Sequence, residues 1–408
     1  MRKFDKDKYL KKLKFKRNLT KYGKYFYICV PCALAVVAGI YFAYSKFTVS
    51  KDAEVVKTTV GEFIHGDVVI GAYIDGEYSN TIPGKNDGYI VDKIVCDNDA
   101  SASWDNDAWG IALTNLAKRT KCNVYFNKVV SVSEKVITTM NNNPSMFATD
   151  DPDNNVRYIG KDPSNYVYFN CNDYSNPTAD TCELWRIIGI FNNVTKSDGT
   201  KENLVKIIRD ESIVDIVWNY NDVNDWSTAK LQYDLNSGTY YTTTLKNDTT
   251  RNAIESVVWN LGGSSTDNDV TPSMFYERER GTTVYTGRPT TWTGKIGLMY
   301  PSDYGYATSG GTTKDRAVCL ATELHDWARC FSDCKGNDYL YNSSLYQWTL
   351  TPSSADARGV FVMHSVGNVR YETPHTHYAA RPALFLKSNI QVDKGTGAKS
   401  DPYHLKMQ

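Results

Sequence analysis

Three histidines lie close together near the C-terminal end of the chain, at positions 364, 375 and 377. Imidazole nitrogens are common metal ligands in proteins. On a β-strand, His375 and His377 would face the same side, and His364 could join them from a neighbouring strand. The alternative is that Pro374–His377 forms a polar loop. We favour the loop, and we predict neither a metal site nor a bound cofactor.

A run of amide and carboxylate side chains precedes Trp226, and it could supply oxygen ligands to calcium. Its members are Asn219, Asn221, Asp222, Asn224 and Asp225. The run lacks the glycine and the final glutamate that an EF-hand loop needs. Side chains of this kind also form local turns with their own backbone. We therefore favour a cluster of turns over a calcium site.

Catalytic groups are harder to find than binding groups in this sequence. Glycoside hydrolysis needs two carboxylates that flank the scissile bond, and no pair stands out by its spacing. The string Glu277–Arg280 alternates in charge and is typical of a solvated surface. No G-x-S-x-G motif indicates a serine nucleophile. We do not predict an enzyme, although a cell-wall hydrolase or transferase stays as the alternative.

Aromatic side chains are the remaining signal for binding. Tyr300, Tyr304 and Tyr306 lie beside a glycine in a stretch that we expect to be a loop, where rings could stack on a sugar or grip a protein. Other aromatic residues lie in apolar runs, and for these we predict burial in the core. They are Trp185, Trp259 and Trp348.

The element that positions the whole body is the stretch 25–44, which contains no charged side chain. A helix of this length spans roughly 30 Å, the thickness of the hydrocarbon core of a bilayer. Residues 1–24 carry eleven basic and two acidic side chains, and such a flank stays in the cytoplasm. We predict a single-pass membrane protein with a cytoplasmic tail and an extracellular body. A cleaved signal peptide is the alternative, but its apolar run would be shorter.

The overall charge excludes one class of partner. The chain has 46 basic and 46 acidic side chains, so the part after residue 24 has 35 basic and 44 acidic ones, a net charge of −9. Nucleic-acid binding normally needs a basic face. We therefore predict the membrane and an extracellular glycan or protein as partners, and no nucleic acid.

Nine cysteines are present, and two of them, Cys29 and Cys32, lie within the predicted membrane helix. The other seven would lie outside the cell, where disulfides persist. They form local groups, and we expect pairing within each group, namely Cys96 with Cys122 and Cys171 with Cys182. The third group contains Cys319, Cys330 and Cys334, and its spacing alone leaves the pairing open.

The body is rich in aromatic, Thr, Asn, Asp and Gly residues, which favour strands joined by polar turns. We predict a small β module over residues 57–128, a linker over 129–155 and a larger α+β domain with an antiparallel sheet over 156–408. Strand patterns dominate the last third of the chain. We predict two helices in the larger domain, one over Thr228–Leu235 with Ser227 as its N-cap and one from Thr249 or Thr250 to Leu261.

Four sequence strings together resemble a family of cell-surface proteins from Gram-positive gut bacteria. They are Cys182–Gly189 (CELWRIIG), Ile296–Tyr306 (IGLMYPSDYGY), Gln347–Pro352 (QWTLTP) and Arg381–Leu386 (RPALFL). The resemblance covers nearly the whole chain. It implies a membrane anchor, a Cys-paired β module and a C-terminal domain of unknown function that is distantly similar to the fold of C-type lectins and of the formylglycine-generating enzyme. It also implies a Cys319–Cys334 disulfide that leaves Cys330 free.

The functional residues of those two folds do not transfer to this chain. The sequence has neither the Glu-Pro-Asn nor the Gln-Pro-Asp string with which calcium-dependent lectins bind sugar. No cysteine can be matched to the reactive site of the formylglycine-generating enzyme. Because fold does not imply function, we predict only a surface binding or adhesion protein. A cell-envelope enzyme and a structural subunit of a surface assembly are the alternatives.

Overall fold

A computed structural model describes residues 10–12, 14, 69–97, 100–114 and 120–407. The predicted membrane segment, residues 25–44, and most of the basic tail lie outside these described residues. Among the helices of the described part, none is both long and apolar enough to cross a bilayer. The chain divides into two compact units, Met1–Lys128 and Val129–Gln408. Both are rich in antiparallel strand pairs, and helices are few and short, in agreement with the predicted α+β class.

The described part of the smaller unit contains six strands, and its core lies against one four-stranded sheet. The strands are β1 (Val69–Ile74), β2 (Glu77–Ser79), β3 (Tyr89–Cys96), β4 (Ser101–Asp105), β5 (Gly110–Thr114) and β6 (Lys121–Lys128). The sheet order is β2-β1-β6-β3, with β1 and β6 parallel and the other pairs antiparallel, while β4 and β5 form a separate hairpin. Along β6, Cys122, Val124 and Phe126 are buried and alternate with more exposed residues. This alternation is the period-2 pattern of a half-buried strand.

Among the described residues, three disulfides pair six of the nine cysteines as predicted. Cys96 and Cys122 occupy paired positions on β3 and β6, which the bond joins at one end of the sheet. In the larger unit, Cys171 pairs with Cys182 and Cys319 pairs with Cys334. The local pairing rule and the pairing implied by the family resemblance are therefore both confirmed.

The larger unit is built on a seven-stranded sheet and a five-stranded sheet. Its first strands are β7 (Val130–Ser131), β8 (Phe147–Ala148), β9 (Val156–Tyr158), β10 (Tyr166–Phe169), β11 (Glu183–Thr195), β12 (Lys201–Arg209), β13 (Ile213–Ile216), β14 (Val257–Asn260), β15 (Thr291–Gly294) and β16 (Ile296–Leu298). The remaining strands are β17 (Gln347–Pro352), β18 (Val360–Met363), β19 (Val369–Glu372), β20 (Tyr378–Ala380), β21 (Pro382–Phe385), β22 (Gln391–Lys394) and β23 (His404–Lys406).

The long hairpin β11–β12 forms the centre of the seven-stranded sheet. That sheet has the order β16-β21-β12-β11-β9-β8, with β10 also paired to β11. The five-stranded sheet has the order β13-β20-β17-β18-β19. Two smaller sheets complete the unit, the hairpin β14–β15 and the group β23-β22-β7. Residues Trp185 and Trp348 are 0% exposed and Trp259 is 2% exposed, so all three are core residues as predicted.

Eight α-helices occur in the described part of the larger unit, and most are short. They are α1 (Val132–Asn142), α2 (Lys230–Asn236), α3 (Asp248–Ala253), α4 (Pro272–Glu279), α5 (Pro301–Ala307), α6 (Arg316–Ala321), α7 (Trp327–Cys330) and α8 (Ser332–Gly336). The first predicted helix begins later than expected, at Lys230. The preceding turn, Trp226–Thr228, is capped by the carboxylate of Asp225, which accepts a hydrogen bond from Ser227 N.

The second predicted helix is wrong in its C-terminal half. Helix α3 ends at Ala253, and Val257–Asn260 is the strand β14, paired in antiparallel register with β15. Val257 and Trp259 are buried and alternate with less buried neighbours. The spacing of Ile254, Val257, Val258 and Leu261 resembles a helical face, but β-branched and aromatic residues pack better on a pleated sheet.

The stretch 129–155 is predicted to be a linker, whereas the structure places it inside the larger unit. Ser131 caps helix α1 in a capping box with Glu134. Val132 and Val136 are one helical turn apart, and both are buried in the main core. The turn-rich residues that follow this helix suggested a linker, but the capping box and the apolar pair anchor the stretch to the core.

Candidate functional site

The three tyrosines predicted to lie in a binding loop are buried instead. Pro301 begins helix α5, and the carboxylate of Asp303 accepts a hydrogen bond from Tyr300 N at the start of that helix. Tyr304 is 0% exposed and donates a hydrogen bond to the carbonyl of Gly367. A Cβ on Gly305 would lie 2.6 Å from Pro272, so this glycine allows close packing and does not mark a loop. Of the three tyrosines, Tyr300 borders a cavity.

The structure does not bring the three histidines together into one site. Each of them contacts a different carboxylate: His364 contacts Glu372, His375 contacts Asp222 and His377 contacts Asp215. The ring of His364 also stacks on Tyr346, with their centroids 4.1 Å apart. Throughout the described ranges, no group of three or more His, Cys, Asp or Glu side chains is placed to hold a metal ion.

The oxygen-rich run before Trp226 organises the backbone around it. Asn224 is 1% exposed, and its side-chain nitrogen donates to the carbonyls of Ser353, Asp356 and Gly359. Asn219 donates to the carbonyl of Val223 within the run itself. These contacts connect the run to the loop that precedes β18, which is a structural role.

A cavity of about 220 Å³ lies in the larger unit beside the hairpin β11–β12. Five of its lining residues are polar and partly or fully exposed, and we call them the rim: Asp153, Asn192, Asn193, Asn260 and Arg280. Four aromatic lining residues are buried, and we call them the floor: Phe191, Trp259, Tyr300 and Phe385. The buried Lys206 also lines the cavity. Ligand sites commonly combine an apolar wall with a few polar groups that orient the ligand, and this cavity has both. It is the candidate functional site.

A buried chain of four charged side chains reaches the cavity at Lys206, which is one of the lining residues. Arg157 Nε is 2.5 Å from Asp151 Oδ2, and Arg157 Nη1 is 3.0 Å from Asp303 Oδ1. Lys206 Nζ is 2.5 Å from the other oxygen of Asp303. All four side chains are at most 2% exposed. Two acids and two bases alternate, so each buried charge has a partner of opposite sign.

Burial and ion pairing shift the pKa values within this group of buried charges in opposite directions. Burial alone would raise the pKa of Asp303, but Lys206 and Arg157 lower it to about 2. Burial lowers the pKa of Lys206, although Asp303 opposes this shift. The pKa of Arg157 is raised, since Asp303 and Asp151 outweigh the effect of burial. Asp303 is therefore ionised over the whole physiological range.

The ammonium group of Lys206 lies among the aromatic rings that form the cavity floor. Its Nζ is 4.6 Å from the ring centroid of Tyr300, 5.4 Å from those of Phe191 and Trp259, and 5.8 Å from that of Phe385. Ring faces attract a cation at these distances. The rings therefore help to hold a lysine that is almost completely removed from water.

Arg280 follows helix α4 and lies at the rim of the cavity in a fixed position. Its guanidinium lies 3.3 Å from the ring centroid of Tyr276, and its Nη1 donates to the carbonyl of the same residue. Tyr276 donates a hydrogen bond to Asp153 and accepts one from Asn155. The same Nη1 also contacts the buried carboxylate of Glu279 at 3.4 Å.

Glu279 differs from the sequence prediction, because the string Glu277–Arg280 is not uniformly solvated. Glu279 is 0% exposed and accepts hydrogen bonds from both the backbone nitrogen and the hydroxyl of Ser302. Burial raises the pKa of Glu279 to about 7, and Arg280 and Ser302 only partly oppose this shift. A charge run on a short helix thus contains one carboxyl that faces the interior.

Substituting Glu279 by Gln should remove a pH dependence from the stability of the protein. A carboxyl whose pKa is raised on folding stabilises most below its unfolded pKa, and that contribution is lost as the pH rises through the folded pKa. The window runs from about 4.5 to about 7. Relative to Glu279→Gln, we expect the unfolding free energy of the native sequence to fall by about 3 kcal/mol across this window.

Denaturant unfolding at a series of pH values measures this difference. The exposed Glu277 on the same helix provides the matched control, and Glu277→Gln should leave the pH profile of the native sequence unchanged. A constant stability difference between the native sequence and Glu279→Gln from pH 4 to pH 8 would contradict the prediction.

Comparison with known proteins returned no relative. No family model matches the chain, and neither a curated protein nor a solved structure matches it. The function is therefore argued from the geometry of the cavity.

Proposed function

We propose that the chain is a bacterial surface protein whose larger unit binds a glycan outside the cell. The observation that carries this proposal is the cavity, which joins a rim of three asparagines, Asp153 and Arg280 to a floor of four aromatic rings. Amide and charged groups at a rim suit hydroxyl groups, and aromatic rings suit the apolar face of a sugar. A protein ligand that inserts one side chain is the alternative occupant.

The size of the cavity limits what it can hold. Its volume of about 220 Å³ is smaller than the ~300–1,000 Å³ of sites for drug-sized ligands. One sugar ring or one amino-acid side chain is of suitable size. We infer that the cavity binds the end, or one residue, of a longer ligand.

The location outside the cell is part of the same proposal. It rests on the uncharged segment 25–44 and on the basic flank of residues 1–24, which together predict a membrane anchor with a cytoplasmic tail. The three disulfides support it, since such bonds persist in oxidising surroundings. The resemblance to cell-surface proteins of Gram-positive gut bacteria is consistent with this location.

Filling the cavity should weaken glycan binding without unfolding the protein. Thr195 lines the cavity at the end of β11 and is only partly buried, so Thr195→Trp places a large ring in the space that a ligand needs. On a glycan array probed with the full chain, we expect this variant to lose at least about tenfold in affinity, or about 1.4 kcal/mol.

Thr243 provides a matched control for the same substitution. It is exposed and does not line the cavity. Thr243→Trp should bind like the native sequence, and both variants should melt near it. Equal glycan binding by Thr195→Trp and the native sequence would place the site elsewhere. An array on which the full chain binds no glycan at all would overturn the proposed function.

A further inference from the structure

We propose that the cavity selects sugars that carry an acidic group, a carboxylate or a phosphate, and that Arg280 binds this group. The inference rests on the proposed glycan-binding function and adds the chemical class of the ligand. It follows from the donors of the Arg280 guanidinium that make no hydrogen bond in the described residues, and from Lys206, a second cation that lines the cavity among the aromatic rings.

Within the described residues, the guanidinium of Arg280 makes hydrogen bonds through one nitrogen alone. Its Nη1 atom is occupied by the carbonyl of Tyr276 and by Glu279. Within the part of the chain that the structure describes, no hydrogen bond uses its Nε or Nη2 atoms, and its Nε lies 3.8 Å from Asp153 Oδ2. These two nitrogens form one edge of a planar fork that matches the two oxygens of a carboxylate or phosphate.

Arg280 is already held in place before a ligand arrives. Its guanidinium stacks on Tyr276, whose hydroxyl is fixed by Asp153 and Asn155. The Arg280 side chain is 22% exposed, so it is partly removed from water but still reachable from the cavity. A fixed, partly desolvated guanidinium loses little further conformational freedom when it binds an anion.

Two carboxyl groups, those of Asp153 and Glu279, lie close to Arg280. Asp153 opposes an anion, but its side chain is 55% exposed and is therefore screened by water. The carboxyl of Glu279, which contacts Arg280, is partly protonated at neutral pH because burial raises its pKa to about 7. These two carboxyl groups therefore offset only part of the positive charge that Arg280 presents to a ligand.

The charges that line the cavity disfavour a cationic ligand. Aromatic rings that enclose a cavity can attract ammonium groups. In this cavity the rings of Phe191, Trp259, Tyr300 and Phe385 already surround the ammonium of Lys206. A cationic ligand would meet both Lys206 and Arg280, which line the cavity. The cavity is therefore suited to an acidic or neutral ring, and the open fork of Arg280 favours the acidic one.

The test compares three probes on the full chain, namely D-glucose, D-glucuronate and D-glucose 6-phosphate, by isothermal titration calorimetry. We expect at least one acidic sugar to bind ten times more tightly than glucose, with a preference that weakens as salt increases. The two acidic probes distinguish a carboxylate site from a phosphate site. Arg280→Gln should abolish the preference for acidic sugars. Arg280→Lys should keep part of this preference, because the lysine ammonium is still a positive point charge. Arg358→Gln, at a side chain that is 58% exposed, is the control and should change nothing.

Three results would overturn the inference, and they can be told apart. If glucose binds as tightly as the acidic sugars, and if Thr195→Trp weakens that binding, the cavity binds glycans without selecting for charge. If the preference for acidic sugars survives in Arg280→Gln, and this variant melts like the native sequence, another group recognises the anion. If Thr195→Trp weakens the binding of no sugar, on the array or in calorimetry, both the proposed glycan binding and the proposed preference for acidic sugars are wrong.

Discussion

Asp303→Asn should destabilise the larger unit by about 3–5 kcal/mol, because it leaves two buried cations without their shared partner. Asp303 is 0% exposed and lies between Arg157 and Lys206. Asparagine keeps the shape of the side chain and removes its charge, so the loss reports the charge and not a cavity. Denaturant unfolding of the full chain at neutral pH measures it.

Two further variants make this result specific. Asp162 is 69% exposed and contacts Arg186 at 3.5 Å, so Asp162→Asn should cost less than about 1 kcal/mol as a surface ion pair. Combining Asp303→Asn with Lys206→Met should recover part of the loss, since one of the two unpaired cations is then absent. If Asp303→Asn alone lowers the free energy of unfolding by less than about 1 kcal/mol, Asp303 does not pair with Arg157 and Lys206 as a buried ion.

Trp348→Ala should lower the free energy of unfolding by about 3–5 kcal/mol, because it replaces a large core side chain with a small one. Trp348 is 0% exposed on β17, lies 5.2 Å from the ring of Tyr378 by centroids, and donates from Nε1 to the carbonyl of Ile216. Alanine removes the ring and leaves that carbonyl without its donor. A lowered melting temperature and a lowered denaturant midpoint would both show the loss.

Arg381 provides a second, independent test of the same core. It is 4% exposed, and its Nε donates to the carbonyl of Arg209 while its Nη2 lies 3.8 Å from Asp210. Arg381→Ala should also lower the melting temperature. Tyr220→Ala is the control, because that ring is 67% exposed. If Trp348→Ala and Arg381→Ala instead melt near the native sequence and lose only ligand binding, the functional site lies on the last strands and the core assignment is wrong.

Local patterns were sufficient to predict many of the strands of the larger unit. The stretches around Trp348, Phe361 and Leu384 combine β-branched and aromatic residues with turn residues at their ends, and all three form strands. The three disulfides agree with the prediction that cysteines close in sequence pair. These features depend on neighbours along the chain, which a sequence displays directly.

The buried chain of charges beside the candidate site could not be predicted in the same way, because its members are distant in sequence. Arg157 and Asp303 are 146 residues apart, and Lys206 and Asp303 are 97 residues apart. No local pattern marks a buried aspartate within Ile296–Tyr306, where the tyrosines and the glycine suggested a loop. The signal that could have been used is weak: Tyr300-Pro301-Ser302-Asp303 places a proline at the first helical position and an acid two residues later.

Glu279 shows a further limit of local reading. Four alternating charges are usually solvated, and Glu277 is indeed exposed. Glu279 and Phe275 are four residues apart on the short helix α4, and both are buried. The buried face of a helix can therefore include a carboxyl when a hydroxyl and a backbone nitrogen, here both from Ser302, supply hydrogen bonds.

The strand order of the smaller unit has a mechanical consequence. Strands β1 and β6 are adjacent and parallel over six paired positions, from Val69 with Lys121 to Ile74 with Phe126. Tension applied at Val69 and at Lys128 therefore pulls the two strands along their length in opposite directions. The hydrogen bonds between them are then loaded together in shear, whereas a hairpin pulled from its open end loses them one at a time.

The disulfide between β3 and β6 limits how far this unit can stretch even after its sheet separates. Cys96 and Cys122 are 26 residues apart, and the chain between them lies within the covalent loop. At about 3.3–3.6 Å per extended residue, roughly 90 Å of chain is withheld from extension while the bond is intact. A reducing environment would release that length, so the reach of the smaller unit under load depends on the redox state of one cysteine pair.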